Sequence, residues 1–483
     1  MLRLPNVALR GAPRLNSTSF ANFSSLSAFT EEFTKATSNV ASNVSFQESA
    51  EILRSLTRTN LLKATDLRDD PPKFFEAHRI LARHSLDHGP GFWIRFTVHY
   101  NLFGGTVLAV GSDEQVDMLA DIQAKGELGC FSLTEKEAGV QSGLVVNTTV
   151  DWDKEKQKFI LNTPNVGARK NWISQGFVAD KTVVLATLRV NGESKGPHGF
   201  VMNFRENGQL VSGIEIDDMG HKTVGNDLDN AWIHFDNVEL PADAMLSRYA
   251  NVVDDEYKLF NDKLRPFDMI GQRLYTGRVA VAQGALEYRR QLFKRTKEYS
   301  DDKICPGNVT LSSIPQLSSL YEENLAQLKM LDELTSKTEK ALTECLLENE
   351  PPSADLVDAI ATCKIMCVEE SIAMCHRLKQ EVGSYALMGD SGFQNLDYLQ
   401  CCKFAEGDSR ILKLKLARDR LKTFAKDGGS VTDELEKKLL ISIGTQMAAD
   451  MKKGVDKMTA FNNEWRNIYS LADACMARIA RDF

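Results

Sequence analysis

The stretch Leu128–Gly143, LGCFSLTEKEAGVQSG, decides how the rest of the chain is read. A short apolar run, Cys130 to Leu133, ends at Thr134-Glu135. A turn built on Ala138, Gly139, Ser142 and Gly143 follows, and an extended segment opens at Leu144. A strand that stops at a hydroxyl and a glycine turn presents backbone N–H groups outward and lets a ring approach closely. It suits a flat ligand with polar edges. Taken alone it reads first as an ordinary polar turn between two strands, so its neighbours must decide.

Outward from this stretch the hydrophobic period changes twice. Before it the pattern is helical: SFQESAEILRSLTRTNLLKATDL carries Ile52, Leu53, Leu56, Leu61 and Leu62 at three-to-four spacing. Asp69-Asp70-Pro71-Pro72 breaks that helix, and the prolines suit the first turn of the next one. Phe92 to Val110 is apolar, interrupted by Gly104-Gly105, and Ser112 to Gln115 reads as a capping box for a helix to about Lys125. After the stretch, to about Leu240, the period is two: KFILN, KTVVLATLRV, GFVMNF, VSGIEI and AWIHFDNVEL read as short strands. From Asp254 long helical patterns return, broken at Pro351-Pro352, near Gly389 and at Asp427-Gly428-Gly429. Asp408 or Ser409 is the expected N-cap of the helix that runs to Ala425.

The expected fold is therefore α+β: an N-terminal α-helical domain (30–128), a small, mainly antiparallel β-domain (129–245) and a C-terminal α-helical bundle (254–483). Residues 1–29 hold no Asp or Glu, three arginines and many serines, the composition of an organelle transit peptide, with a mitochondrial address expected, a plastid one the main rival and the peroxisome a further alternative. The final residues, ARDF, are not the SKL peroxisomal signal.

A net charge of −8 with no concentrated basic stripe argues against nucleic acid. No apolar run reaches the about 18–20 residues of a membrane span. The nine cysteines have no zinc spacing and read as reduced, mostly buried thiols, and no metal-ligating set is expected among the eight histidines.

In that order the segments DDPPKFFEAHRILARHS, YNLFGGTVLAVGSDEQ, GCFSLTEKEAGVQSGL, FILNTPNVGARKNWISQG, DMGHKTVGNDLDNAWIHFDNVELPADAML, MGDSGF and FAEGDSRILKLKLARDRL resemble the acyl-CoA dehydrogenase and acyl-CoA oxidase superfamily from about Pro72 to Leu421. The resemblance implies an acyl-CoA dehydrogenase-like fold, FAD as cofactor and α,β-desaturation of acyl-CoA thioesters in fatty-acid oxidation. It implies that Thr134, Trp172 and Ser174 meet the flavin ring and that Arg295 reaches the FAD pyrophosphate of a neighbouring subunit. Gly389 stands in the family's glycine-rich turn at the cofactor, Arg278 near the CoA moiety, and Glu406 at the general base. A homodimer or homotetramer is implied, with molecular oxygen or an electron-transfer flavoprotein as acceptor. The N-terminal helices are oxidase-like, whereas WISQG is nearer the dehydrogenase pattern.

Each residue also has a plain structural reading. Glu406 suits a surface or capping carboxylate, Trp172 a core aromatic, Thr134 and Ser174 turn hydroxyls. Arg295 is placed to pair with Glu298 or Asp301, and Arg278 with Asp268. Three departures from the family pattern bear on cofactor and CoA binding: Glu137-Ala138-Gly139-Val140 where the family carries Gly-x-Gly-Ser, Asp390 in place of a glycine, and Arg410 at the adenine end. They motivate the alternative of a catalytically silent relative serving as a structural subunit of an organelle complex.

Overall fold

The computed structural model describes residues 18–483 apart from 39, 41–43, 89, 140, 141, 143, 262–265, 428–430 and 432. The N-terminal part is helical: α1 (Thr18–Thr37), α2 (Phe46–Arg58), α3 (Asp66–Asp69), α4 (Pro71–Arg83), α5 (Ser85–His88), α6 (Gly91–Thr97), α7 (Gly105–Val110) and α8 (Asp113–Lys125). Pro71 opens α4, as a residue without an N–H does at no cost. The Ser112–Gln115 capping box starts α8, and Gly126 ends it at φ +68°. The expected leader lies partly outside the described residues. Its described part is the first half of α1, which crosses position 29 and buries Phe29 and Phe33.

Gly104-Gly105 does not break the apolar run 92–110. Val98–Gly104 forms a π-helical segment that joins α6 to α7, a widening often found at functional sites. There the ring of Phe103 packs on Gly129, and the Gly129 N–H donates to His99 Nδ1 at 3.1 Å. Burial holds His99 at about 4, neutral and able to accept.

The central part comprises β1 (Gly129–Ser132), β2 (Thr149–Asp153), β3 (Lys158–Asn162), β4 (Lys170–Ser174), β5 (Lys181–Val190), β6 (Glu193–Asn203), β7 (Arg205–Glu206), β8 (Gln209–Leu210), β9 (Ile214–Asp218), β10 (Asn230–Phe235), β11 (Val238–Leu240), β12 (Ala250–Val253) and β13 (Glu256–Leu259). One sheet runs β1-β5-β2-β3-β11, with β6 on the other edge of β5; a second runs β4-β10-β9. Pairing is mostly antiparallel, but β5 takes β1 and β2 in parallel. Phe159, Leu161, Ile173, Val184, Phe200, Ile233 and Phe235 fill the space between the sheets. The strands run past the expected limit at 245, to Leu259.

After a short hairpin (β14, Ile304–Cys305; β15, Val309–Thr310) inserted between α9 (Pro266–Asp302) and α10 (Pro315–Glu348) come α11 (Ala354–Glu381), α12 (Tyr398–Phe404), α13 (Ser409–Asp427), α14 (Glu434–Lys452), α15 (Lys457–Asn463) and α16 (Trp465–Asp482). Asp408 caps α13, its carboxylate accepting from Arg410 N–H at 2.7 Å. The two helical parts are not independent. Phe74, Phe75, Trp93 and Phe96 lie in one hydrophobic core with Val279, Leu292, Leu320, Ile360 and Leu378. Alpha-helices α13–α16 add a smaller cluster around Ala417, Leu440, Phe461 and Leu471. All nine cysteines are free, six of them buried. No helix among the described residues is long and apolar enough to cross a membrane.

Candidate functional site

Segment 134–137 pairs antiparallel with 167–171. Asn171 N–H donates to Thr134 O at 2.8 Å, and Lys136 N–H to Arg169 O at 2.9 Å. Beneath this pairing lies an ion pair that sequence reading missed. Lys170 Nζ meets Glu135 Oε1 at 2.9 Å with both side chains fully buried. Lys170 also donates to the carbonyls of Leu133 and Leu185. Glu135 accepts from the N–H groups of Asn147 and Thr148. All three ammonium protons and both carboxylate oxygens thus have partners, the condition for burying an ion pair. Burial pulls the Lys170 ammonium down to about 8 against the pull of Glu135. The only signal in the sequence was Glu135 directly after Thr134 and Lys170 two residues before Trp172, which does not show that the two pair.

This pair fixes the strand ends from which Thr134, Trp172 and Ser174 project. Between Ala231–Ile173 and Ile233–Lys170 the register slips, so Asn171 and Trp172 share one opposing residue, Trp232. Trp172 stands at φ +59° in this bulge. A bulge re-aims its side chain, and Trp172 is 54 % exposed; the core reading does not hold. Thr134 is exposed and Ser174 half-buried. Asn230 Nδ2 donates to Ser174 Oγ at 3.1 Å, which leaves the serine proton free to be given elsewhere. One indole face and two hydroxyls on adjacent strand ends make a shelf for a flat ring with polar edges.

Glu406 lies between α12 and α13 at φ +56°, followed by Gly407 at φ +97°. Two consecutive left-handed residues, the first with a side chain, are strained and need support from around them. The support comes from α9. Arg278, itself buried, donates from Nε to Glu406 O at 2.9 Å and lies over the Tyr275 ring. The Glu406 carboxyl rests on Gly277: a methyl group added there would fall 2.3 Å from its Cδ. Oε2 is buried with no hydrogen-bond partner among the described residues. Burial pushes the carboxyl up to about 8, opposed by Arg278 and Lys364. Glu406 as a whole is half-buried, but its Oε2 is sealed off against Gly277, so the carboxyl is neither a free surface group nor a helix cap.

Thr276, next to Gly277, donates to Asn101 of the π-helical segment, and that segment packs on β1. The indole shelf and the buried carboxyl are thus tied to one rigid piece of backbone.

Two expected residues lie elsewhere. Arg295 is about 25 Å from Arg278 along α9 at ~1.5 Å per residue. Its Nη2 meets Asp87 at 2.7 Å and its Nη1 donates to Asp390 O at 3.2 Å; the partner is neither Glu298 nor Asp301. It lines a cleft of about 400 Å³ with Arg83 and Lys294. Gly389 sits in an exposed turn with open space around it and needs no special backbone angle. Within one chain, then, Glu406 and Arg278 form one group, Thr134, Trp172 and Ser174 a second, and Arg295 a third with the turn of Gly389.

No protein-family model matches the chain. Curated relatives do. It is 28% identical over 418 residues to an acyl-coenzyme A oxidase of Candida glabrata, covering 78% of this chain and 55% of the relative. It is 27% identical over 394 residues to acyl-coenzyme A oxidase 2, peroxisomal, of Arabidopsis thaliana, covering 75% of this chain and 55% of the relative. The chain thus spans about half the length of the curated relatives it matches. Among solved structures, acyl-CoA oxidase-2 of Caenorhabditis elegans, bound with FAD, ascaroside-CoA and ATP, superposes with a TM-score of 0.77 at 18% identity, covering 96% of this chain and 77% of that one. The helical–β–helical architecture is the acyl-CoA oxidase fold.

Proposed function

The chain belongs to the acyl-CoA oxidase and acyl-CoA dehydrogenase superfamily, and from that premise we propose that it carries out FAD-dependent α,β-desaturation of acyl-CoA thioesters in fatty-acid oxidation. The observation that carries the reading is the Glu406 carboxyl, buried on Gly277 with Oε2 unpartnered and its proton affinity raised. A carboxyl poised near working pH is what removal of a weakly acidic α-proton requires.

The residues fit the cofactor. Trp172 offers an exposed ring face, and Thr134 and Ser174 offer hydroxyls at its edge. Bound there, FAD supplies the hydride acceptor; the protein supplies orientation and a dry site. Glu406 takes the α-proton onto Oε2. Arg278 holds the backbone that aims it, which supports a role one step removed from the CoA contact expected for it. For Arg295 and Gly389 we keep the reading of a contact to a neighbouring subunit's pyrophosphate, supported by Arg83 and Lys294 lining one cleft with Arg295; Asp87 and Glu298 line it too, and Asp87 must then release the arginine.

The relatives' name favours molecular oxygen over an electron-transfer flavoprotein as acceptor. The name of the Arabidopsis relative favours the peroxisome, the alternative location, over the mitochondrial one expected from the N-terminal composition. An anaerobic absorption titration of the purified protein with acyl-CoAs of different length tests the reading. Flavin bleaching is the expected result, followed by peroxide release once oxygen is admitted. Colourless protein that neither takes up FAD nor turns over would favour the silent structural subunit.

A further inference from the structure

Around the Glu406 junction stands a lysine with no place in the scheme so far. Lys364 of α11 is fully buried. No carboxylate pairs with it among the described residues. Its ammonium instead donates to Lys403 O at 2.6 Å, Gly407 O at 3.0 Å and Ser409 Oγ at 3.1 Å. Those three acceptors bracket Glu406: the end of α12, the left-handed glycine and the first residue of α13. A buried ammonium is costly unless all its protons are taken, and three oxygens take all three.

We propose that Lys364 is the positioning residue of Glu406, gathering the chain on both sides of the left-handed junction so that the carboxyl stays seated against α9. This rests on the reading of Glu406 as the base and extends it. Arg278 grips the carbonyl of Glu406 from α9, and Lys364 grips its flanks from α11. A neutral donor would serve a merely structural purpose. The lysine adds a positive charge that favours the ionised carboxylate and so restrains the rise caused by burial. The other titratable groups around the pair are Arg278 and Tyr275 on α9 and Cys402 and Asp408 on the segment itself. Burial brings Lys364 down to about 7.

The test compares FAD-loaded full-length protein with its Lys364→Met variant by two measurements. The first is hydrogen exchange of the amides at 405–410 without substrate. The variant should exchange about tenfold faster or more there, with other segments unchanged. The second is the pH dependence of anaerobic bleaching by octanoyl-CoA or palmitoyl-CoA. Lys364 carries its charge below about 7, so its loss should depress the rate most on the acid side of the profile, moving the midpoint to higher pH. Wild-type exchange at 405–410, or a wild-type rate and midpoint, overturns the proposal. Should the methionine variant fail to fold, Ser409→Ala decides: faster exchange at 405–410 with an unmoved midpoint supports the proposal, and unchanged exchange overturns it. Wild-type protein that never bleaches would sink the base reading and this one together; a bleaching wild type with an indifferent Lys364→Met sinks this one alone.

Discussion

Arg278 donates from Nε to the backbone carbonyl of Glu406 at 2.9 Å, so the arginine holds the main chain of the candidate base rather than its carboxylate. Among the described residues that arrangement leaves the carboxylate without a direct ion pair. A guanidinium on the carboxylate itself would drive its proton affinity down, whereas here burial prevails and raises it to about 8.

Glu406→Gln should retain FAD and lose acyl-CoA-driven bleaching by roughly 10²–10⁴-fold, the usual worth of a general base. Stopped-flow absorbance checks this, and unchanged bleaching would assign the base elsewhere. In the wild type the bleaching rate should climb with pH through about 8, as the carboxyl loses its proton. Stability should move the other way. Between 4.5 and about 8 the folded protein keeps a proton that the unfolded chain has released, so wild-type stability falls as pH rises through that window. Denaturant titrations of Glu406→Gln should lack this component.

Gly277→Ala separates folding from chemistry. In a helix interior the exchange ordinarily stabilises by about 0.5–1 kcal/mol. Here the new methyl would occupy the place of the Glu406 carboxyl. The melting temperature should hold or rise while bleaching falls about tenfold or more. Gly271→Ala, on the same helix with open space at its Cα, should stabilise without touching the rate.

Trp172→Ala removes an exposed ring and should change the stability of the apoprotein by no more than about 0.5 kcal/mol. FAD affinity should fall about tenfold or more, since the stacked face is lost. A fluorescence titration of apoprotein with FAD measures it. Equal affinity would mean that the indole shelf is not the flavin site.

Lys170→Met leaves Glu135 buried without its counter-charge, which costs about 3–5 kcal/mol. Urea unfolding should show the loss. Adding Glu135→Leu should recover part of it, because the two residues are coupled.

What could be read from residues in a row was read well. The strands at 158–162 and 181–190 and the capping box at 112–115 came directly from period and cap chemistry, because neighbours along the chain set them. Glu406, Trp172 and Ser174 were legible as candidates only through the family pattern. What Lys170 and Lys364 do was not legible, since a buried lysine shows its meaning only when its acceptors are known.

By itself, then, the order of residues determined the alternation of helical and extended segments and where most of them start and stop, since these depend on contacts a few residues long. Only the folded chain decided that the two helical parts share one core, that a bulge turns Trp172 outward, and that the half-buried Glu406 sits in a left-handed junction with its Oε2 sealed off. Those features are enforced across long separations, 128 residues between Arg278 and Glu406 and 35 between Glu135 and Lys170, and no local pattern encodes which distant group will supply the charge, the hydrogen bond or the missing side chain.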